Sequence, residues 1–241
     1  MKIIICGDSW SGGEWSPDGT DILHGGVAEY FRIDGHDVTN LGQKGGTNLS
    51  SVTRLSNWLS LNPYDQEVFV LFFLTEFFRE IWYYTNFNNQ THETSLREEL
   101  ARPYSVIKES WVHRPYYRLQ ELATKHNIKI HLIGGCSDAI VEYNDFQNDF
   151  PRLIIACQSF TNLLINNTST IDQPVMCEFL NDWTDPFLQA VKPDEVMLKD
   201  MDLAQIRRNQ FEEYPNWFYP DGIHPNRQAH HILYEHVKPC I

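Results

Sequence analysis

The sequence predicts an α/β fold built on a parallel sheet covered on both faces, and three observations lead there. Five short β-rich or apolar runs recur, at 2–6, 36–41, 68–74, 128–133 and 153–157. Most are separated by stretches of helical periodicity, the kind of connection that parallel strands need. The run VFVLFFL, Val68 to Leu74, reads as the central apolar strand.

Taken in order, the first strand runs from the start of the chain into IIICGDSW, so that a Gly-Asp-Ser turn follows an apolar run directly. Val27, Tyr30 and Phe31 give one side of an early helix, and Leu49 to Leu61 makes the next, with Leu55, Trp58 and Leu59 inward. After the central strand, Phe77 to Phe87 fits no element cleanly. Its place beyond a strand's carboxyl end suits a lid or pocket wall, and FFREIWYY suits a dimer surface equally well. With the Asn/Thr-rich stretch behind it, it reads as an aromatic-rich insertion at 77–98 within a single domain spanning 1–241. Arg-Pro at 102–103 and again at 114–115 breaks Leu100 to His126 into two helices or a kinked one; Tyr116 to Thr124 then presents Leu119, Leu122 and Ala123 to the sheet. A closing helix, Gln228 to Val237, is capped by Asn226.

Composition narrows the function. A formal charge of -13 disfavours broad attachment to nucleic acid or an anionic membrane and suits a small neutral or sugar-like substrate. The longest apolar runs are too short to span a bilayer, and Met1-Lys2 leads straight into a strand, so the expectation is a cytoplasmic chain without a signal peptide. Cys6, Cys136, Cys157, Cys177 and Cys240 form no close-spaced pair and read as reduced thiols. The histidines show no metal spacing and no cofactor motif is present, so neither a metal nor a cofactor is expected.

Chemistry concentrates at the two ends. A serine hydroxyl is a weak nucleophile until a base takes its proton, and a histidine with a reference pKa near 6.5 suits that task. Ser9 sits in a turn after a strand, where its own N–H can face a developing oxyanion; DGIHPN, Asp221 to Asn226, supplies an imidazole at His224 and a carboxylate at Asp221. Each motif alone is an ordinary turn. Together, at the start and near the end of an α/β chain, they are far more specific. If the imidazole turns away from Ser9, Asp221 is a turn cap and His224 a structural histidine.

GDSW at 7–10, NLGQKGG at 40–46 and DGIHP at 221–225 resemble conserved blocks of the SGNH superfamily, also called GDSL-type esterases and lipases. The resemblance implies a flavodoxin-like three-layer α/β/α sandwich with a mainly parallel sheet. It implies Ser9 as nucleophile, His224 as base and Asp221 as its orienting acid. It also implies an oxyanion hole made by the N–H groups of Ser9 and of a glycine in the second block; of Gly42, Gly45 and Gly46, Gly46 is preferred because Gly-Gly-Thr-Asn lies where the loop turns into the next helix, with Gly42 the nearer rival. The third block departs from the pattern, because Glu76 stands where the family commonly has an asparagine donor. An ionised glutamate offers only acceptors and opposes negative charge on the intermediate. Three resolutions stay open: Glu76 binds a substrate hydroxyl or cation while Thr75 or another donor fills the hole, a reshaped loop displaces it, or hydrolysis has been lost. Trp10 is either a substrate wall or packing beneath the turn, and Asn48 either caps a helix or meets substrate.

The expected activity is hydrolysis of a small acyl ester, with a carbohydrate O-acetyl ester as one candidate, through an acyl-Ser9 intermediate. An acyltransferase would use the same site, and a catalytically inactive structural or carbohydrate-binding protein is the reading from a different class. The expected partner is a small-molecule or glycan ester, with no nucleic acid and no membrane; a homo-oligomer is one option, open on the dimer-surface reading of FFREIWYY.

Overall fold

Successive residues of the first strand enter two different cores. In β1 (Lys2–Cys6), Ile3 and Ile5 pack into one apolar cluster and Ile4 and Cys6 into another, all fully buried. A strand whose alternating side chains are apolar on both sides must be covered on both sides, and it is. The computed structural model describes residues 1–64, 67–75, 113–135, 139, 146–166, 217 and 224–241.

Within these residues the main sheet has the order β4-β1-β5-β6-β7, where β4 is Asp37–Asn40, β5 Val68–Leu74, β6 Ile130–Gly134 and β7 Leu153–Cys157. Every pairing in it is parallel, with Ile3 beside Val38 on one flank and beside Phe69 on the other. The first strand therefore lies between the second and third strands of the sheet, the 2-1-3-4-5 arrangement of flavodoxin-like folds. The predicted strands all form, with ends shifted by a residue or two.

One layer of helices holds α1 (Ser9–Gly12) and α2 (Val27–Ile33), with α6 (Phe160–Asn166) and α7 (Arg227–Val237) beside them. Trp10, Phe31, Phe160 and Leu233 meet Ile3, Leu71 and Phe73 there. The opposite layer holds α3 (Asn48–Leu61), α4 (Arg114–His126) and α5 (Phe146–Asp149). Leu55, Leu59, Leu119, Ala123 and Phe150 pack on Ile4, Val70, Phe72 and Leu132 from that side. The three layers are those the sequence implies, with Leu55, Leu59, Leu119, Leu122 and Ala123 buried as expected and Trp58 half-buried.

Pro115 falls in the first turn of α4, where its missing N–H removes nothing, so the Arg-Pro at 114–115 starts a helix. The Arg-Pro at 102–103 and the insertion proposed at 77–98 lie outside the described residues. Besides α5, two further features have no counterpart among the elements expected from the sequence. A hairpin of β2 (Glu14–Trp15) and β3 (Ile22–His24) stands beside the Ser9 turn, and α6 follows β7. Cys6 and Cys157 are buried free thiols and Cys240 is an exposed one; burial pushes the Cys6 thiol up to about 12. Among the described residues no helix is long and apolar enough to cross a membrane.

Candidate active site

Ser9 is the first residue of α1, three positions beyond the end of β1. The side chain of Asp8 caps this short helix by accepting the Trp10 N–H at 3.0 Å, and the Asp8 carbonyl accepts the Ser11 hydroxyl at 2.7 Å. Gly7 is required by crowding: a Cβ there would lie 2.7 Å from Cβ of Phe73 and 2.9 Å from its carbonyl oxygen. The Gly-Asp-Ser turn thus has a separate reason for each residue. Gly7 fits against β5, Asp8 caps, and Ser9 is left at the head of the helix.

Arg54 of α3 stitches this turn to the loop after β4. Its guanidinium donates to the Gly7 carbonyl at 2.7 Å and to the Leu41 carbonyl at 2.9 Å, while the Gln43 N–H also reaches the Gly7 carbonyl. Asn40 continues the seam by donating to the Ser11 carbonyl and accepting the Gly42 N–H at 2.8 Å. Gly42 lies so close to α1 that a Cβ would meet Ser11 Oγ at 2.4 Å. The loop at 40–46 is therefore seated against the serine turn. The N–H groups of the two candidate glycines are already engaged, Gly42 with Asn40 and Gly46 with the Gln43 carbonyl at 3.0 Å. The Ser9 N–H meets no acceptor among the described residues.

The second wall comes from the other end of the chain. His224 lies two residues before Asn226, the cap of α7, whose side chain accepts the Ala229 N–H at 2.9 Å as the sequence predicts. Trp15 joins the two walls. Its indole Nε1 donates to the Ser9 carbonyl at 2.8 Å, and its ring centroid lies 5.7 Å from that of His224. Ser9 and His224, 215 positions apart in sequence, thus touch the same side chain. Both are mostly buried, at 7% and 9% exposure. Among the described residues, Ser9 Oγ makes no hydrogen bond, including to His224. Catalytic contacts in unliganded enzymes are often longer than hydrogen bonds and tighten with substrate.

Other predicted positions have different placements. Trp10 is 1% exposed and packs edge-on against Phe160 with centroids 5.8 Å apart, so of its two readings the packing beneath the turn is realised. Asn48 is neither cap nor free to meet substrate in this conformation. Thr47 is the cap of α3, and the Asn48 amide both donates to and accepts from the Thr75 backbone at 2.9 Å, pinning the end of β5. Asp221 and Glu76 lie outside the described residues. Among the described residues no group of histidine, cysteine and carboxylate side chains could hold a metal ion.

Sequence reading missed Trp15 and Glu14, and it set His230 aside with the other histidines for want of a metal spacing. Glu14 is 1% exposed and accepts three hydrogen bonds from Arg227, from its backbone N–H at 2.5 Å and from Nε and Nη2 at 2.8 and 2.9 Å. Burial pushes the Glu14 carboxyl up, but the bonds from Arg227 outweigh it and hold the group below its ordinary value. His230 of α7 is fully buried beside Gly26 and Phe160, and desolvation drives its pKa down to about 4.

No protein-family profile matches the chain, and no curated protein matches it. Solved structures do. A lipase/acylhydrolase from Enterococcus faecalis is 15% identical over 100% of this chain and 94% of its own, with a TM-score of 0.39. A member of the lipolytic G-D-S-L family from Veillonella parvula is 13% identical over 99% and 97%, with a TM-score of 0.40, and an acetyl xylan esterase is 13% identical over 100% of both chains, with a TM-score of 0.38. At these values the likeness is coarse, and the reading of the site rests on the chain's own residues.

Proposed function

We propose that this protein hydrolyses small acyl esters through an acyl-Ser9 intermediate, with O-acetylated carbohydrate as its substrate class. The observation that supports the reading most is Trp15, whose indole bonds the Ser9 backbone while its ring lies against His224. A nucleophile and a base from opposite ends of the chain share one rigid neighbour.

In this mechanism the neutral His224 takes the proton of Ser9 Oγ as the oxygen attacks the ester carbonyl. The tetrahedral oxyanion faces the Ser9 N–H, which has no competing acceptor among the described residues. A second donor comes from the loop at 40–46; Gly46, or Gly42, joins by sharing the N–H it now gives to Gln43 or Asn40. Collapse breaks the bond to the alcohol, which leaves with the proton from His224. Water, deprotonated by His224, then cleaves acyl-Ser9 and regenerates the hydroxyl. Asp221 holds the imidazole in the required tautomer and stabilises its cation. Glu76 supplies no donor, and replacing it with asparagine is expected to raise turnover, since one oxyanion donor is commonly worth about 10²-fold to 10³-fold.

One observation favours the alternative of a non-catalytic binding protein on the same fold, namely that Ser9 Oγ is not hydrogen-bonded to His224. Steady-state hydrolysis of short aryl and sugar acetates separates the two readings. Activity in the wild type that falls to background in Ser9→Ala and His224→Ala supports the enzyme; a folded wild type inert toward all of them supports the binding protein.

A further inference from the structure

We infer that Glu14 is a positioning residue for the proposed catalytic pair, setting His224 against Ser9 by anchoring the start of α7 to the hairpin beside the serine turn. The inference rests on the reading of Ser9 and His224 given above. Three linked observations carry it. First, Glu14 acts as a cap supplied from a distant segment. Arg227 is the first residue of α7, and its N–H has no partner within the helix; Glu14 Oε2 accepts it at 2.5 Å across 213 positions of sequence. A buried carboxylate at a helix N-terminus is also favoured by the helix dipole.

Second, the same carboxylate takes Arg227 Nε on Oε2 and Nη2 on Oε1, a two-pronged arrangement that fixes orientation as well as distance. The Glu14 side chain is 2% exposed while that of Arg227 is 56% exposed, so the fixed partner is the carboxylate and the adjustable one the guanidinium. Third, the residues next to each partner are those of the site. Trp15 follows Glu14 and touches both the Ser9 carbonyl and the His224 ring; Arg227 follows His224 by three positions. Loss of the Glu14 anchor would free the start of α7 to move relative to the hairpin. A displacement of His224 of the order of an ångström is enough to cost a large factor in proton transfer.

The kinetics of covalent labelling by a fluorophosphonate, resolved into a binding constant and a maximal inactivation rate, test this. Glu14→Gln keeps the shape but loses the charge, and Arg227→Lys keeps the charge and the backbone N–H but loses the fork. Both are assayed well below their melting temperatures. The expected result is a maximal rate at least 10-fold lower in Glu14→Gln and several-fold lower in Arg227→Lys, with probe binding within twofold of wild type. Lys238→Ala, which removes the bonds from Lys238 to Asp34 and Tyr234 at the far end of the same helix, is expected to lower the melting temperature and leave the rate unchanged. Because Glu14 acts through His224, Glu14→Gln in a His224→Ala background is expected to have no further effect, a non-additivity that general destabilisation does not produce.

Wild-type rates in folded Glu14→Gln and Arg227→Lys, or full additivity with His224→Ala, would overturn the positioning role while leaving the Ser9 reading intact. If Glu14→Gln does not fold, Arg227→Lys decides by the same rates. A wild type that never labels would overturn the Ser9 reading and the role of Glu14 with it.

Discussion

The wall of the site that carries Ser9 and the wall that carries His224 are held by different means. The Ser9 wall is fastened by many short bonds among Asp8, Asn40, Gln43 and Arg54, most of them between neighbouring segments of one edge of the fold. Among the described residues, the His224 wall is tied to the rest by bonds made across most of the sequence, Glu14 with Arg227 and the Tyr30 hydroxyl with the Arg227 carbonyl, by the buried Ala229, Leu233 and Val237 of α7, and locally by the Asn226 N–H on the Trp217 carbonyl. Under the proposed function, the nucleophile is presented in a tight turn with dense local support, while the distance and angle of the base are set by anchors from distant segments.

The largest loss is expected on the Ser9 wall. Arg54→Ala leaves the Leu41 carbonyl without its guanidinium partner and strips the Gly7 carbonyl of one of its two donors. Hydrogen bonds to a charged group are worth about 1.5–3 kcal/mol each, so a loss of about 3 kcal/mol is expected in urea unfolding, together with a lower rate of Ser9 labelling. An unchanged midpoint would mean that the seam between the two loops contributes little.

Acid acts on the wall that carries His224, through His230 of α7. The folded pKa of His230, near 4, lies below the unfolded reference of about 6.5, so the unfolded chain binds more protons between those values. The contribution of neutral His230 is therefore complete above about 6.5 and is lost as pH falls toward 4. With each unit worth about 1.36 kcal/mol, it is at most about 3 kcal/mol. His131 of β6, lowered to about 4 by burial and then by Lys129, adds to the same trend. Unfolding free energies between pH 7 and 4 should therefore decline, and His230→Phe should flatten part of the slope. A slope that this substitution leaves untouched would contradict the assignment.

The smallest effect belongs to the cap. Asn226→Ala removes the bond to the Ala229 N–H and should cost about 1 kcal/mol, with faster amide exchange confined to the first turn of α7. Faster exchange throughout α7 would show that the cap, and not Glu14, holds that wall.

The layers were legible because their signals are local. β5 announces itself by an unbroken apolar run, and α4 by the spacing of Leu119, Leu122 and Ala123. The turn that carries Ser9 was legible as well, because Gly7 and Asp8 each have a local reason to be there. Glu14 and Trp15 were not. Nothing within a few residues of GGEW distinguishes that glutamate from a surface one; its role comes from Arg227, 213 positions away, and no periodicity reports such a pairing. Asn48 misled for a related reason. Next to a loop of glycines it looks like a cap or a ligand contact, but the Thr75 backbone takes its amide, and only the packing of α3 against the end of β5 reveals that.

The most direct measurement is the intact mass of the protein after reaction with a fluorophosphonate probe, with wild type beside Ser9→Ala and His224→Ala. A single adduct is expected on wild type, none on folded Ser9→Ala and a strongly reduced amount on His224→Ala. A folded wild type that takes no adduct, or one whose adduct survives the loss of Ser9, would contradict the reading of Ser9 as nucleophile.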